Sequence, residues 1–105
     1  MLFDGRSIQV EMKDGIAHCV FNIKDSGANL IGNLMIAELP KALDKIKASD
    51  AKGLLFISSK EHFIFGADIT EFMNHFTKSK AELKAWILEM NTTLNGFEDL
   101  EIPTV

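Results

Sequence analysis

The chain of 105 residues is 47% apolar, sets 11 basic against 15 acidic residues for a net charge of −4, and holds one cysteine. An acidic balance of this kind argues against nucleic acid or an anionic membrane surface as partner, because both select clustered Lys and Arg. A lone thiol closes no internal disulfide. No stretch approaches the roughly 20 consecutive apolar residues of a membrane span, and no apolar leader follows Met1, so the chain reads as a soluble, cytoplasmic protein of at most one domain.

In chain order, Ile8, Val10 and Met12 alternate with Gln9 and Glu11, then come Asp14-Gly15 and a second strand-like run, Ile16 to Phe21. The pattern predicts a hairpin with a two-residue turn of positive φ. Within the second run Cys19 and His18 fall on opposite faces, and Cys19 reads as a small buried hydrophobe. Gly27 and Gly32 in the following loop have P-loop spacing, but Asn33-Leu34 stands where Lys and Ser or Thr would hold phosphate and magnesium, which rules that reading out. No G-x-G-x-x-G follows the first strand.

Met35, Leu39, Leu43 and Ile46 mark one face of a helix over 34–48, with Lys41, Lys45 and Lys47 on its solvated side. Pro40 inside it predicts a kink, or a helix that effectively begins there. Gly53 to Ser58 reads as a strand buried on both faces. Beyond it, Phe63-Ile64-Phe65-Gly66-Ala67-Asp68-Ile69-Thr70-Glu71-Phe72 joins strand to helix through a turn. Asp68 and Glu71 suit a capping box, while Phe72 and Phe76, four apart, cover either the core, their default place, or the mouth of a pocket. Ser79 and Glu82 predict a second capping box, opening a helix whose stripe is Leu83, Trp86, Ile87, Met90, Leu94 and Phe97, with Leu83 and Trp86 buried. Glu98, Asp99 and Glu101 read as a solvated stretch, and Thr104-Val105 as the start of a further strand. His18, His62 and His75 lack metal-site spacing, so no metal is expected.

Gly66 permits a backbone conformation closed to other residues, and Ala67 is too small to cover its own amide. The loop therefore reads as an oxyanion or phosphate cradle with the Ala67 N–H facing a cleft; ordinary α/β punctuation gives the same spacing.

The run F-x-x-G-A-D-I-x-E-F resembles the signature of the crotonase (enoyl-CoA hydratase/isomerase) superfamily, and the resemblance extends from about Met1 to Val105. It implies an α/β fold, the amino-terminal portion of a crotonase-type β/α spiral with an edge hairpin, parallel core strands and flanking helices. Residues 1–105 would then be an amino-terminal half domain cut at Val105. It implies that the backbone N–H of Ala67 is one of two oxyanion-hole donors to a thioester carbonyl, with Gly66, Asp68 and Ile69 around the substrate. Gly27-Ala28-Asn29-Leu30-Ile31 is similar to the segment lining the coenzyme A site, which places Gly27 and Ala28 at the substrate; Ser26 stands where many relatives carry a basic residue.

By the same resemblance the ligand is an acyl-CoA thioester, the step is hydratase/isomerase chemistry in fatty acid β-oxidation, and the chain itself holds no cofactor. The second donor and both catalytic glutamates would lie past Val105, leaving these residues inactive alone. The resemblance includes members in which an NAD-using dehydrogenase part follows, and it implies a homo- or hetero-oligomer, with a thiolase subunit as partner. Rival readings are another reaction of the superfamily (isomerase, dehalogenase, thioester hydrolase) and a noncatalytic acyl-CoA-binding or assembly module.

Overall fold

The Asp14-Gly15 turn forms as its residues predict: φ is 51° at Asp14 and 82° at Gly15, the left-handed pair that matches the twist of two antiparallel strands. The computed structural model describes residues 1–105. Strand β1 (Phe3–Asp4) pairs antiparallel with β2 (Ile8–Lys13), β2 with β3 (Ile16–Phe21), and β3 runs parallel to β4 (Gly53–Ser58), giving the order β1-β2-β3-β4. The short β1, which no alternation signals, covers the outer edge of the hairpin. Crossing from β3 to β4 are a loop and helix α1 (Asn33–Lys47); α2 (Ile69–His75) and α3 (Lys80–Glu98) follow.

Register puts Ile8 opposite Phe21 and Val10 opposite Cys19, so the buried positions of β2 and β3 share one face. Met35, Ala42, Leu43 and Ile46 of α1 complete the core with Leu54 and Phe97. Each fully enclosed aliphatic side chain here contributes about 1.5–3 kcal/mol by leaving water. Phe56 links the layers, stacking on Phe21 at 5.7 Å and meeting Phe97 of α3 edge-on at 5.3 Å. Cys19 is fully enclosed, and that burial pushes its thiol up to about 12.

One carboxylate fastens α1 to the sheet. Glu38 accepts hydrogen bonds from the amides of Arg6 (2.9 Å), Ser7 (2.7 Å) and Ile8 (3.3 Å) and from Ser7 Oγ (2.6 Å). Burial raises the Glu38 carboxyl, but the bonds from Ser7, Arg6 and Ile8 outweigh it and hold the group below its ordinary value.

Several expectations are corrected. Helix α1 begins at Asn33 and runs through Pro40, so the proline does not start it; the residue costs the bond it would have returned to the Ile36 carbonyl. In β4 only Gly53 and Leu54 are fully buried, because beyond β4 the sheet meets just the parallel bridge Leu54–Thr104, which realises the strand predicted at Thr104-Val105. Phe76, the residue that caps the carboxyl end of α2, is 69% exposed. Along α3 only Phe97 of the predicted stripe is buried; Leu83 and Trp86 are half-buried, and Ile87 and Leu94 are largely exposed. The reason is geometric. A hollow lined by Ile36, Pro40, Met90 and Leu94 separates α1 from the middle of α3, and Trp86 packs instead on Phe72 and His75 of α2.

Two outcomes follow. A thiol reagent such as DTNB at pH 8 leaves Cys19 unlabelled in the native chain and labels it once denaturant is added; fast native labelling would contradict the burial. Glu38→Ala costs about 1–2 kcal/mol in urea unfolding at pH 7. Because the folded-state carboxyl lies below its unfolded value of about 4.3, its contribution is complete above that pH and disappears as pH falls through the folded value, so the gap between wild type and variant closes on acidification.

Candidate functional site

Two loops that lie far apart in sequence meet at the carboxyl ends of β3 and β4. The main chain of Asn29 and Ile31 runs beside that of Phe65 to Asp68: Phe65 N–H donates to Asn29 O (2.7 Å), Ile31 N–H to Gly66 O (2.8 Å) and Asp68 N–H to Ile31 O (2.9 Å). The result is a parallel bridge between Ile31 and Ala67. In such a bridge the partner's bonds go to the neighbours of the bridged residue, so Ala67's own N–H points to the other side. It donates to no protein acceptor. Gly66 has φ 111°, which leaves the turn closed to side-chain-bearing residues without strain, and a Cβ there would meet nothing within 4 Å. Ala67 itself is exposed.

What holds the two loops in place is Asn29, 1% exposed. Its Oδ1 accepts from Ile23 N–H (3.1 Å), and its Nδ2 donates to Phe21 O (2.8 Å), Ser58 Oγ (3.0 Å) and Phe63 O (3.1 Å). One amide thus ties the end of β3, the end of β4 and the start of the Ala67 loop together. Asn29 stood in the quoted segment but not among the predicted site residues; an Asn inside an otherwise apolar stretch is the signal that could have marked it.

Of the other predicted site residues, Gly27 is exposed and Ala28 half-buried in the first loop, with the Ala28 carbonyl taking a bond from Ser26 Oγ. Asp68 is half-buried, and Ile69 is 70% exposed at the first position of α2. The two loops enclose a hollow of about 170 Å³ lined by Ser26, Leu30, Gly32, Leu34, Asp68 and Glu71. Both ionisable groups on that wall are carboxylates, an unsuitable seat for phosphate. A larger apolar cleft of about 610 Å³ opens beside it, lined by residues including Ile31, Met35, Phe56, Phe63 and Ile64. Ala67 lines neither; its bridge partner Ile31 lines the larger one.

Asp68 caps α2 as predicted, accepting from the amides of Thr70 and Glu71 and from Thr70 Oγ1 (2.6 Å). That hydroxyl, with the two amides, holds the Asp68 carboxyl below its usual range. The reciprocal half of the box does not form. The Asp68 N–H is already spent on Ile31 O, and Glu71 reaches away to accept from Asn33 N–H at 2.6 Å. At the second predicted box Ser79 caps α3 through Glu82 N–H to Ser79 Oγ at 3.2 Å, but the Glu82 carboxylate accepts from the Ser79 hydroxyl (3.0 Å) and not from the Ser79 N–H, so here too the reciprocal half is missing.

Both the sequence and the fold have counterparts among known proteins. All of the chain aligns at 43% identity, over 107 positions, with the fatty acid oxidation complex subunit alpha of Pseudomonas putida, and at 43% over 109 positions with that of Psychrobacter arcticus; it spans 15% of the length of each. Among solved structures, the enoyl-CoA hydratase of Shewanella pealeana superposes with TM-score 0.84 at 19% identity over 93% of this chain and 37% of that one. An enoyl-CoA hydratase/isomerase from Xanthobacter autotrophicus gives 0.82 at 20% over 96% and 38%. No family model matches.

Three of the four bonds of Asn29 use Nδ2, so Asn29→Asp, isosteric but with acceptors only, destabilises as much as Asn29→Ala, by about 3 kcal/mol or more. Equilibrium urea unfolding checks this; a near-neutral Asp variant would contradict it.

Proposed function

The chain is a crotonase-superfamily sequence, similar end to end to fatty acid oxidation α subunits, and from that premise we propose that it supplies one oxyanion donor and part of the thioester-binding surface of an enoyl-CoA hydratase/isomerase of fatty acid β-oxidation. The observation that carries the reading is the Ala67 N–H: exposed, unpaired, and held by a bridge whose own bonds leave it free. A thioester carbonyl oxygen accepting from it gains most as negative charge develops on that oxygen, and losing one such donor typically costs about a hundred- to a thousandfold in rate. The apolar cleft beyond Ile31 has the lining an acyl chain requires. Gly27 and Ala28 offer main chain and little side chain to the coenzyme A portion.

Acid–base chemistry is a different matter. The carboxylates nearest Ala67 are both engaged, Asp68 as the α2 cap and Glu71 on Asn33. Protons would therefore be moved by groups elsewhere in the whole protein, in keeping with the two glutamates that the family places later. Use of NAD by a separate dehydrogenase part, association with a thiolase subunit and a cytoplasmic location belong to the same proposal for the whole protein. No helix is long and apolar enough to cross a membrane.

The test is titration of the ¹⁵N-labelled chain with acetoacetyl-CoA and, separately, with free coenzyme A. Thioester should move the Ala67 amide resonance and free coenzyme A should not, while crotonyl-CoA is hydrated no faster than in buffer. Shifts confined to other residues would remove Ala67 from the site, and turnover would show that proton-transfer groups lie within the 105 residues.

A further inference from the structure

We infer that Glu71 and His75 are positioning residues for the Ala67 donor, acting through Asn33; the inference rests on the thioester reading above. The two stand one helical turn apart on α2 and so share a face. Both reach the same residue of α1. Glu71 accepts from Asn33 N–H at 2.6 Å, and His75 Nε2 lies 3.1 Å from Asn33 Oδ1. An amide oxygen takes a hydrogen bond only from a protonated nitrogen, so Nε2 carries the hydrogen, consistent with a buried Nδ1 that has no partner.

Helix α1 depends on this arrangement. Its N-cap, Gly32, makes no side-chain cap bond, and no acidic residue lies in its first turn. Glu71 supplies both the missing acceptor and the negative charge from a different helix. A Cβ at Gly32 would run into Glu71 Oε2, so the glycine provides the space for the carboxylate.

Helix α2 depends on it in return. Ile69, Met73 and Phe76 are 70%, 59% and 69% exposed, and His75 is the one buried residue of the helix. Apolar burial on the outer side therefore does not fix α2. What does are the two bonds to Asn33 together with Trp86, on which the His75 ring stacks at 3.9 Å and the Phe72 ring packs edge-on at 5.2 Å. Only Asp68 separates α2 from Ala67, and the Asp68 N–H is one of the bonds of the Ile31–Ala67 bridge. A displacement of α2 on α1 is thus transmitted directly to the donor. In this scheme Glu71 and His75 touch no substrate; they set where the Ala67 N–H points.

The bridge amides provide a readout apart from activity. In Glu71→Ala, hydrogen exchange of the Ile31 and Asp68 amides should accelerate about tenfold or more and the Ala67 resonance should move, while the amides of Val10 and Cys19 in the hairpin keep their rates. Glu71→Gln, which retains an acceptor oxygen, should restore most of the protection. Asn33→Ala removes the His75 bond and leaves the main-chain bond to Glu71, and should affect the same two amides; it decides the matter if Glu71→Ala does not fold. Unchanged Ile31 and Asp68 exchange, with Ala67 in place, in whichever of these variants fold would overturn the inference. Acetoacetyl-CoA added to the same samples separates the two ideas: if it leaves wild-type Ala67 unmoved the thioester reading fails, whereas the exchange rates judge the clamp.

Discussion

Asn29 is the point on which the site is built. A buried primary amide is costly unless satisfied, and here the cost is met by bonds to Ile23, Phe21, Ser58 and Phe63, four residues from three separate segments. Those bonds hold the loop before α1 against the loop before α2. Everything downstream uses that alignment: the main-chain bonds from Asn29 and Ile31 to residues 65–68, the bridge to Ala67, and the orientation that leaves the Ala67 N–H open. Catalytic groups on loops are only as well placed as the scaffold beneath them, and Asn29 makes these loops behave as an extension of the sheet.

Three carboxylates serve the backbone in the same manner. Glu38 collects the amides of Arg6, Ser7 and Ile8, Asp68 those of Thr70 and Glu71, and Glu71 that of Asn33. Ion pairs contribute little by comparison; those present, Lys13–Glu11 and Lys24–Asp4, are 3.7 and 3.5 Å apart on exposed side chains. Helices and loops in this chain are therefore fastened to one another by charge-assisted bonds to main-chain donors, which are directional and fix position as well as contributing energy.

The fold was largely legible because its signals are local. The Asp14-Gly15 turn, the alternation in β2 and β3, the Ser79 cap and the Asp68 cap each depend on residues within a few positions of one another. The resemblance carried by the FGAD run singled out Ala67 as the candidate donor. What was not legible depends on partners distant in sequence. Glu71 fits a capping box by spacing, and only the bond from Asp68 to Ile31 shows why its carboxylate goes to Asn33 instead. Glu38 carries no local signal of its role, since it accepts from residues some thirty positions away. The stripe on α3 has the right period, but period sets which face is apolar and not how much of it is covered. In this chain the hollow between α1 and α3 leaves Leu94 more than half exposed.

The central claim is that one main-chain hydrogen, on Ala67, is kept for a ligand and contributes nothing to the fold. Replacing Ala67 by lactic acid through semisynthesis exchanges that N–H for an ester oxygen and leaves the side chain in place. Measured together, unfolding stability and acetoacetyl-CoA affinity test the claim directly. The account predicts a small stability loss of about 1 kcal/mol or less, because the N–H has no protein acceptor and the Gly66 carbonyl, as an ester carbonyl, accepts only more weakly from Ile31 N–H, and an affinity about tenfold weaker, the loss of one hydrogen bond. A stability loss well beyond that with affinity unchanged would contradict it, showing that the hydrogen belongs to the fold and not to the ligand.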